Sequence, residues 1–283
     1  MTRRRAALYG LGGLAAIAAG QRLTRTVSTP EAVLRLDARR RIEEDGSVSA
    51  VVETTLWRAS QTAAIVCDMW DDHYCRSSVR RMVAMIPRMN RVLGAARELG
   101  VSVVHAPSGT MDFYAGKPQR ERVTAAPHAE PPVPIAKWCH LDPLSEGPLP
   151  IRDEDPCDDE VVRERKRFYS RQHPDIGIAP EDGISDDGQE IYNYFRAKAI
   201  SNVVLMGVHT NLCVLGRSFG IRQQVRLGHN VVLARDLTDS MYDPRDEPFV
   251  SHDDGTALVI DHIERYWCPS IVSTDLTRRS EAS

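Results

Sequence analysis

The sequence predicts an α/β protein with a doubly wound, mostly parallel sheet. Short apolar runs rich in β-branched residues occur at 62–67, 101–105 and 203–207, and such runs are typical of strands buried on both faces of a parallel sheet. The first two runs enclose 77–99, where apolar residues recur at helical spacing until Gly100. Strand and helix alternate through most of the chain, and this alternation predicts helices on both faces of the sheet.

The later elements continue this alternation. After the second strand, the segment 107–156 is long, irregular and rich in proline, which is typical of a lid, an interface arm or an inert insertion. The patterns beyond it predict a strand at 165–170, a helix at 186–198, the strand at 203–207, a helix from Cys213 to Gly228, a strand at 230–234, a helix at 256–267 and a short strand at 271–272.

Short segments flank this main domain, which we assign to residues 61–275. Residues 26–60 form a lead-in, where Asp45-Gly46 is a turn signal that predicts a β-hairpin before the main sheet. Residues 276–283 are predicted to be a disordered tail.

The first 25 residues are predicted to be an export signal. Arg3, Arg4 and Arg5 precede an apolar run at 6–20, which resembles a secretory signal and, more loosely, the twin-arginine type. The run is shorter than the roughly 20 residues of a membrane-spanning helix, so an N-terminal anchor is the second choice. We therefore expect an exported, periplasmic protein.

The composition of the chain excludes some classes of function. The chain has 283 residues and a formal net charge of −3, so it has no basic field for nucleic acid. Export would allow disulfides, and the pairings among Cys75, Cys139, Cys157 and Cys268 stay open, with no pair at zinc-knuckle spacing.

Cys213 is the candidate nucleophile. The strand at 203–207 ends at Gly207, and the predicted helix that follows places Cys213 at its N-terminus. Partial positive charge at a helix N-terminus stabilises a thiolate, and the free N–H groups of the first turn can hold an oxyanion. The alternative is that Cys213 is a small buried apolar residue.

Two other polar residues complete a constellation. Asp68 follows the strand at 62–67, and the carboxyl ends of parallel strands converge on one crevice. Lys166 is the third candidate, so the chain offers a base, a cation and a thiol, which suffice for acyl transfer. Trp70 and Tyr74 flank the Asp68 loop and either line a pocket or pack in the core.

These residues resemble the isochorismatase-like cysteine hydrolases, a family that includes nicotinamidases and N-carbamoylsarcosine amidases. The strand ending in Ile65-Val66-Cys67-Asp68 is similar to the family's first strand with its aspartate. The stretch Gly207–Val214 is similar to its nucleophile motif, and Lys166–Ser170 to its lysine motif. The resemblance extends from about residue 61 to 273.

The resemblance implies a six-stranded parallel sheet and a catalytic trio. Cys213 would be the nucleophile, Asp68 the general base and Lys166 the cation that holds the pair charged, with Lys137 as a rival for that role. A cis peptide at Val208–His209 would aim the His209 N–H beside that of Cys213 as an oxyanion hole. A small amide would be cleaved through a thioester.

The resemblance also raises the question of a metal. Nicotinamidases hold a metal through an Asp-x-His pair after the second strand, where this chain has His105 without the aspartate. The set Asp71, His73 and His105 is the candidate for a divalent metal such as zinc, although the proposed chemistry requires no cofactor. His105 is also a candidate for the substrate pocket.

Two function classes stay open. The first is a cysteine amidohydrolase acting on a small-molecule amide, and the second is a non-catalytic exported protein that binds a ligand or partner on the same fold. Gly216-Arg217-Ser218-Phe219-Gly220 matches the Gly-x-Ser-x-Gly elbow of serine hydrolases, but Ser218 does not follow a strand directly. A homo-oligomer is expected, with no membrane contact beyond a possible N-terminal anchor.

Overall fold

The computed structural model describes residues 31–280, which form one eight-stranded sheet flanked by helices. The order across the sheet is β2-β1-β8-β7-β6-β3-β4-β5. Strands β3 to β8 pair in parallel, and β1 pairs antiparallel with both β2 and β8. The strands are β1 (Val33–Glu44), β2 (Ser47–Arg58), β3 (Thr62–Cys67), β4 (Ser102–Ala106), β5 (Gly183–Ile184), β6 (Asn202–Val208), β7 (Asn230–Asp239) and β8 (Ser270–Ile271).

The helices cover both faces, as the doubly wound prediction requires. They are α1 (Arg76–Leu99), α2 (Pro118–Thr124), α3 (Gly188–Ala197), α4 (Ile221–Arg226) and α5 (His252–Tyr266). Alternate residues of β3 point to opposite faces: Val66 packs in the cluster that contains Met89 of α1, and Ile65 packs in the cluster that contains Phe195 of α3. The α/β fold class is therefore confirmed.

The two central strands meet closely at their carboxyl ends because of Gly207. Cys67 of β3 pairs with Gly207 of β6, whose φ of +108° lies in a region that favours glycine. A Cβ added at Gly207 would lie 2.1 Å from the Cys67 carbonyl oxygen. No side chain fits there, so Gly207 allows the segments that follow β3 and β6 to lie side by side.

The sheet is larger than the six strands predicted, because the N-terminal hairpin joins it. The chain turns at Asp45 and Gly46, both with positive φ, and β1 then pairs with β8 through Arg39 and Ser270. The hairpin therefore extends the main sheet rather than preceding it.

Two predicted segments are wrong. Residues 165–170 form no strand, and the edge of the sheet is instead β5, which pairs with Val104 and His105 of β4. The tail is ordered as far as residue 280: Leu276 is fully buried, and the Ser280 N–H donates to the Val33 carbonyl at 2.7 Å. The predicted export signal at 1–25 lies outside the described residues.

No helix within residues 31–280 is long and apolar enough to cross a membrane.

The connection between β4 and β5 runs from residue 107 to 182 and is fastened to the body by a buried carboxylate. Glu146 accepts hydrogen bonds from Arg222 at 2.7 and 2.9 Å and from the Trp267 indole at 2.8 Å, and it lies 2.8 Å from His262 Nε2. Burial raises the pKa of Glu146, but the hydrogen bonds from His262, Arg222 and Trp267 outweigh it and lower the pKa to about 2.

We expect Glu146→Gln to lower the free energy of unfolding by about 3–5 kcal/mol at pH 7, because Arg222 would lose its buried partner. The pKa of Glu146 is lower in the folded protein than its unfolded value of 4.5, so the charged carboxylate stabilises the fold at pH values above 4.5. This stability is lost as the pH falls towards 2. Urea unfolding between pH 7 and pH 3 should therefore show a weaker pH dependence in the variant. Glu154→Gln, an exposed position in the same connection, is the matched control, and equal losses in both variants would contradict the assignment.

Candidate active site

Asp68 and Cys213 lie where the sheet was predicted to bring them together, at the carboxyl ends of β3 and β6. Asp68 follows β3 directly with a φ of +47°, and its N–H donates to the Ala106 carbonyl at 3.1 Å. Left-handed backbone is uncommon outside glycine, although aspartate tolerates it better than most residues, and it turns the Asp68 side chain into the crevice.

Cys213 lies in a π-helical turn, Thr210–Val214, rather than at the start of a long helix. The His209 carbonyl accepts the N–H groups of Leu212 at 3.0 Å and Val214 at 3.1 Å, which closes the turn. The predicted continuous helix to Gly228 is wrong, because an irregular turn at 217–220 separates this turn from α4.

Arg217 is the cation of the site, and sequence reasoning missed it. Its Nε donates to Asp68 Oδ2 at 3.0 Å, while the backbone N–H of Ser108 donates to Asp68 Oδ1 at 2.7 Å. The Asp68 side chain is fully buried, so Arg217 compensates a charge that would otherwise be costly to bury. Burial opposes the charge on Arg217, but Asp68 outweighs it, and the pKa of Arg217 lies above its ordinary value.

The aromatic ring of Trp138 holds Arg217 in place from the long connection. The Arg217 Cζ lies 5.3 Å from the Trp138 ring centroid, a cation–π distance. Gly216 leaves room for this ring, since a Cβ there would lie 2.7 Å from Trp138 Cε2. The Cys139 N–H also donates to the Gly216 carbonyl at 2.6 Å, so the connection is paired with the segment that follows the nucleophile.

The structure does not bring Lys166 to Asp68. Its side chain is 57% exposed, and Nζ pairs with Glu164 at 3.2 Å. The rival Lys137 is also exposed. Arg217 could have been noticed because it follows Cys213 by four residues, one turn of a helix, and therefore lies on the same side of the chain.

Cys213 is a neutral thiol in this environment. Burial raises the pKa of Cys213 far above its ordinary value, and the nearby charge of Asp68 raises it further. Arg217 and the backbone N–H of His209 act in the opposite direction but do not compensate. The expectation of a thiolate stabilised by a helix N-terminus is therefore wrong for the resting site.

His209 contributes its backbone rather than its ring. The Val208–His209 peptide is cis, as the family resemblance implied, and the His209 N–H is directed at the Cys213 sulfur. The ring turns away, with Nε2 2.5 Å from Ser78 Oγ. Burial lowers the pKa of His209 to about 3, so the ring stays neutral near neutral pH.

Trp70 and Tyr169 form the aromatic wall beside Asp68. Their rings stack with centroids 4.2 Å apart, and the charges of Asp68 and Arg217 act on the Tyr169 hydroxyl. The Trp70 indole N–H donates to the Ser108 carbonyl at 3.1 Å, so Ser108 links the wall to the carboxylate. The buried Ser108 Oγ has no hydrogen-bond partner within residues 31–280.

Tyr74 and His105 do not lie in the substrate pocket that the sequence predicted for them. Tyr74 packs against Cys75 and Cys157. His105 is fully buried in β4, where Nδ1 lies 3.0 Å from Gln172 Oε1 and Nε2 lies 3.0 Å from Asp182 Oδ2. Both ring nitrogens are occupied, so His105 anchors the long connection.

The metal set Asp71, His73 and His105 does not fit a metal. The Asp71 carboxylate accepts hydrogen bonds from the Ser170 N–H at 2.8 Å and its hydroxyl at 2.7 Å, and both nitrogens of His105 are taken. Burial lowers the pKa of His73 to about 4, but this ring does not join the other two side chains in any close group of donors within the described residues. No step of the chemistry is assigned to a metal here.

The model of the Isochorismatase domain family matches residues 62–263, which include Asp68, Cys213 and Arg217. The chain belongs to the isochorismatase family. This membership confirms the resemblance seen in the sequence and gives the chain a hydrolase-type fold. A comparison with curated proteins finds no match.

Several solved structures are similar in fold. A cysteine hydrolase from Pseudomonas syringae pv. phaseolicola 1448A is 18% identical, with 78% of this chain and 93% of that chain covered and a TM-score of 0.49. An isochorismatase family protein from Burkholderia thailandensis is 15% identical, with coverage of 76% and 93% and a TM-score of 0.43. A pyrazinamidase of Pyrococcus horikoshii in complex with zinc is 14% identical, with coverage of 75% and 99% and a TM-score of 0.41.

The charge arrangement predicts how Cys213 reacts with iodoacetamide. Each unit by which a thiol pKa exceeds the pH lowers its thiolate fraction about tenfold, so Cys213 should react at least about tenfold more slowly than N-acetylcysteine at pH 8. Asp68→Asn removes a charge that raises the pKa and should accelerate labelling, whereas Arg217→Gln should slow it further. Peptide mass spectrometry of Cys213 across pH measures these rates.

Lys166→Ala is the control for this measurement, because that side chain is exposed and paired with Glu164. Its labelling profile should match that of the wild type. Slower labelling in Asp68→Asn than in the wild type, with folding verified by circular dichroism, would contradict the proposed charge arrangement.

Proposed function

We propose that the protein is a cysteine amidohydrolase that cleaves a small amide C–N bond through a thioester intermediate. One observation carries the proposal: the fully buried Asp68 carboxylate, paired with Arg217 at 3.0 Å, lies close enough to the buried Cys213 thiol for its charge to act on the Cys213 pKa, in the crevice between β3 and β6. A group that takes a proton from a neighbouring thiol and is held charged by a cation is suited to be a general base.

In the proposed first half-reaction, Asp68 takes the proton of Cys213 as the sulfur attacks the amide carbonyl carbon. The carbonyl oxygen becomes an oxyanion, which we assign to the backbone N–H groups of His209 and Cys213. The tetrahedral intermediate collapses when the C–N bond breaks, and Asp68 returns the proton to the leaving amine. The products are an amine and a thioester on Cys213.

In the second half-reaction, water takes the place of the amine. Asp68 accepts a proton from the water while the water oxygen attacks the carbonyl carbon of the thioester. The C–S bond then breaks. The proton returns to the sulfur, so the enzyme regains its thiol and releases a carboxylic acid. Asp68 thus serves first as base and then as acid in each half-reaction.

Arg217 takes the role that the family resemblance gave to Lys166. A buried carboxylate next to an apolar strand end would be neutral without a cation, and a neutral acid cannot accept the thiol proton. The guanidinium keeps its charge at every relevant pH and is fixed by Trp138 on one side and Asp68 on the other.

The site favours a small substrate with a planar group. Cys213 is only 7% exposed, so a bulky or polymeric substrate would not reach its sulfur in this conformation. The half-buried ring of Tyr169, which stacks on the buried Trp70, provides an aromatic contact for such a substrate, and the Ser108 hydroxyl has no hydrogen-bond partner among the described residues.

Export and self-association are further proposals. Export to the periplasm rests on Arg3–Arg5 and the apolar run at 6–20, which the structure does not describe. A homo-oligomer is supported by the edge strand β2, on which Val52 is 59% and Leu56 60% exposed. An apolar edge strand of this kind is protected when it is covered by another chain.

A screen of small primary and secondary amides for release of ammonia or amine tests the proposed reaction. We expect turnover by the wild type, no turnover by Cys213→Ala, and a loss of about 100-fold in Arg217→Ala, the scale of losing one electrostatic group in an active site. Arg217→Lys should retain more activity than Arg217→Ala. Mass spectrometry of quenched reactions should find an acyl adduct on Cys213.

Two controls separate the alternatives. Lys166→Ala should keep wild-type rates, and Ser218→Ala should remain active because Ser218 Oγ accepts the Gly188 N–H in a structural contact. Activity that survives in Cys213→Ala would exclude cysteine chemistry. Tight binding of a small molecule without turnover would favour the non-catalytic binding protein.

A further inference from the structure

A second group of reactive side chains lies outside the active site. The Cys75 and Cys157 sulfur atoms and a carboxylate oxygen of Asp159 all lie within 4.8 Å of one another. All three residues are buried, with exposed fractions of 0%, 3% and 8%. Cys75 immediately precedes α1, whereas Cys157 and Asp159 belong to the long connection between β4 and β5.

We propose that Cys75, Cys157 and Asp159 form a binding site for a soft divalent cation of the zinc type. Zinc binds thiolate sulfur and carboxylate oxygen in tetrahedral sites, and a Zn–S bond of about 2.3 Å places two sulfurs on one ion about 3.8 Å apart. Donor atoms within 4.8 Å reach this arrangement through small side-chain shifts. Three protein ligands leave a fourth position for water.

The carboxylate is held in a fixed orientation by the start of α1. Asp159 Oδ2 accepts the Arg76 N–H at 2.7 Å, and Oδ1 accepts the Ser77 N–H at 2.9 Å. Each carboxylate oxygen has a second lone pair, so either can still bind a cation. Such outer hydrogen bonds to a ligating carboxylate are a regular feature of metal sites.

The thiols are also oriented by neighbours. Cys75 Sγ lies 3.2 Å from Ser77 Oγ, and the Cys75 N–H donates to His73 Nδ1 at 3.3 Å. The Cys157 N–H donates to the Asp155 carbonyl at 2.9 Å. Binding would release one proton from each thiol to solvent and form two metal–sulfur bonds.

Nearby positive groups offset the charge of the ligands. Two thiolates and one carboxylate carry three negative charges, so a divalent cation leaves one in excess. The 24-residue helix α1 begins at this point, Arg245 donates to the Asp159 carbonyl at 3.3 Å, and Arg81 pairs with the adjacent Asp158 at 2.7 Å. These groups reduce the cost of the excess charge, although Arg81 also pairs with Asp239 and Arg245 with Asp243.

A disulfide between Cys75 and Cys157 is the rival. It would use the two sulfurs but would not need a third donor, whereas Asp159 is buried beside them and fixed by two backbone N–H groups. The position of the Asp159 carboxylate beside both thiols therefore favours a bound cation over a disulfide. The cation would tie the long connection to the loop that carries Trp70, and Leu212, next to Cys213, packs against the same cluster.

The test is titration of the reduced, chelator-treated full chain with Cd²⁺, which gives an ultraviolet charge-transfer band when thiolates bind it. Zn²⁺ binding is measured in competition with a chromophoric chelator. The Cys213→Ala chain is titrated in parallel, so that the nucleophile does not contribute thiolate. We expect one equivalent of either metal to bind, and Zn²⁺ to raise the melting temperature.

Cys75→Ser and Cys157→Ser should each fail to bind this equivalent of metal. Asp159→Asn should weaken the affinity for the metal at least about tenfold. Cys139→Ser, a buried cysteine outside the cluster, is the matched control and should bind as the wild type does. Absence of binding in the reduced wild type, or full binding in both cysteine variants, would overturn the proposal. A disulfide in the unreduced chain together with no binding after reduction would assign the pair to the rival. None of these readouts depends on turnover, so they stand apart from the amide screen.

Discussion

The structure of the site depends on one buried charge, the carboxylate of Asp68. Its fully buried oxygens accept hydrogen bonds from the Arg217 guanidinium and the Ser108 N–H, and its charge acts on the buried thiol of Cys213. Leaving such a carboxylate without a partner would cost several kcal/mol, so each neighbour has a role in stability as well as in chemistry. Arg217 compensates the buried charge of the carboxylate, and in the proposed reaction this carboxylate takes the proton of the thiol.

The backbone geometry at the ends of β3 and β6 allows the residues of this site to lie close together. Gly207 removes the side chain that would separate β6 from β3, and the left-handed conformation of Asp68 turns its carboxylate into the gap. Both features lie at the end of strands that are buried at every position, so apolar packing fixes them. The polar site is therefore positioned by two strands whose side chains are apolar except for Thr62 and Asn202 at their amino ends.

Local patterns predicted the elements that carry Asp68 and Cys213, because strand ends in a parallel sheet follow from apolar periodicity. They could not exclude Lys166 as the partner of Asp68, since the path of the long connection is set by contacts distant in sequence. Lys166 lies in that connection and remains at the surface, whereas Arg217 lies on the nucleophile's own segment. The two-residue strand β5 could not be predicted, because it has too few residues to show a period and only its pairing with β4 defines it.

Polar anchors add to the apolar contacts of residues such as Val123, Ile151 and Ile176 in holding the long connection against the body of the protein. Glu146 binds Arg222, Asp182 binds His105, and the Cys75–Cys157–Asp159 cluster joins the connection to the start of α1. Buried polar contacts have strict geometry, so they fix the position of a chain that has little regular structure. A connection fixed at a few points can change its sequence between them without loss of the sheet. In the function proposed above, the sheet fixes the positions of Asp68, Cys213 and Arg217, and we infer that the residues between these anchors select the substrate.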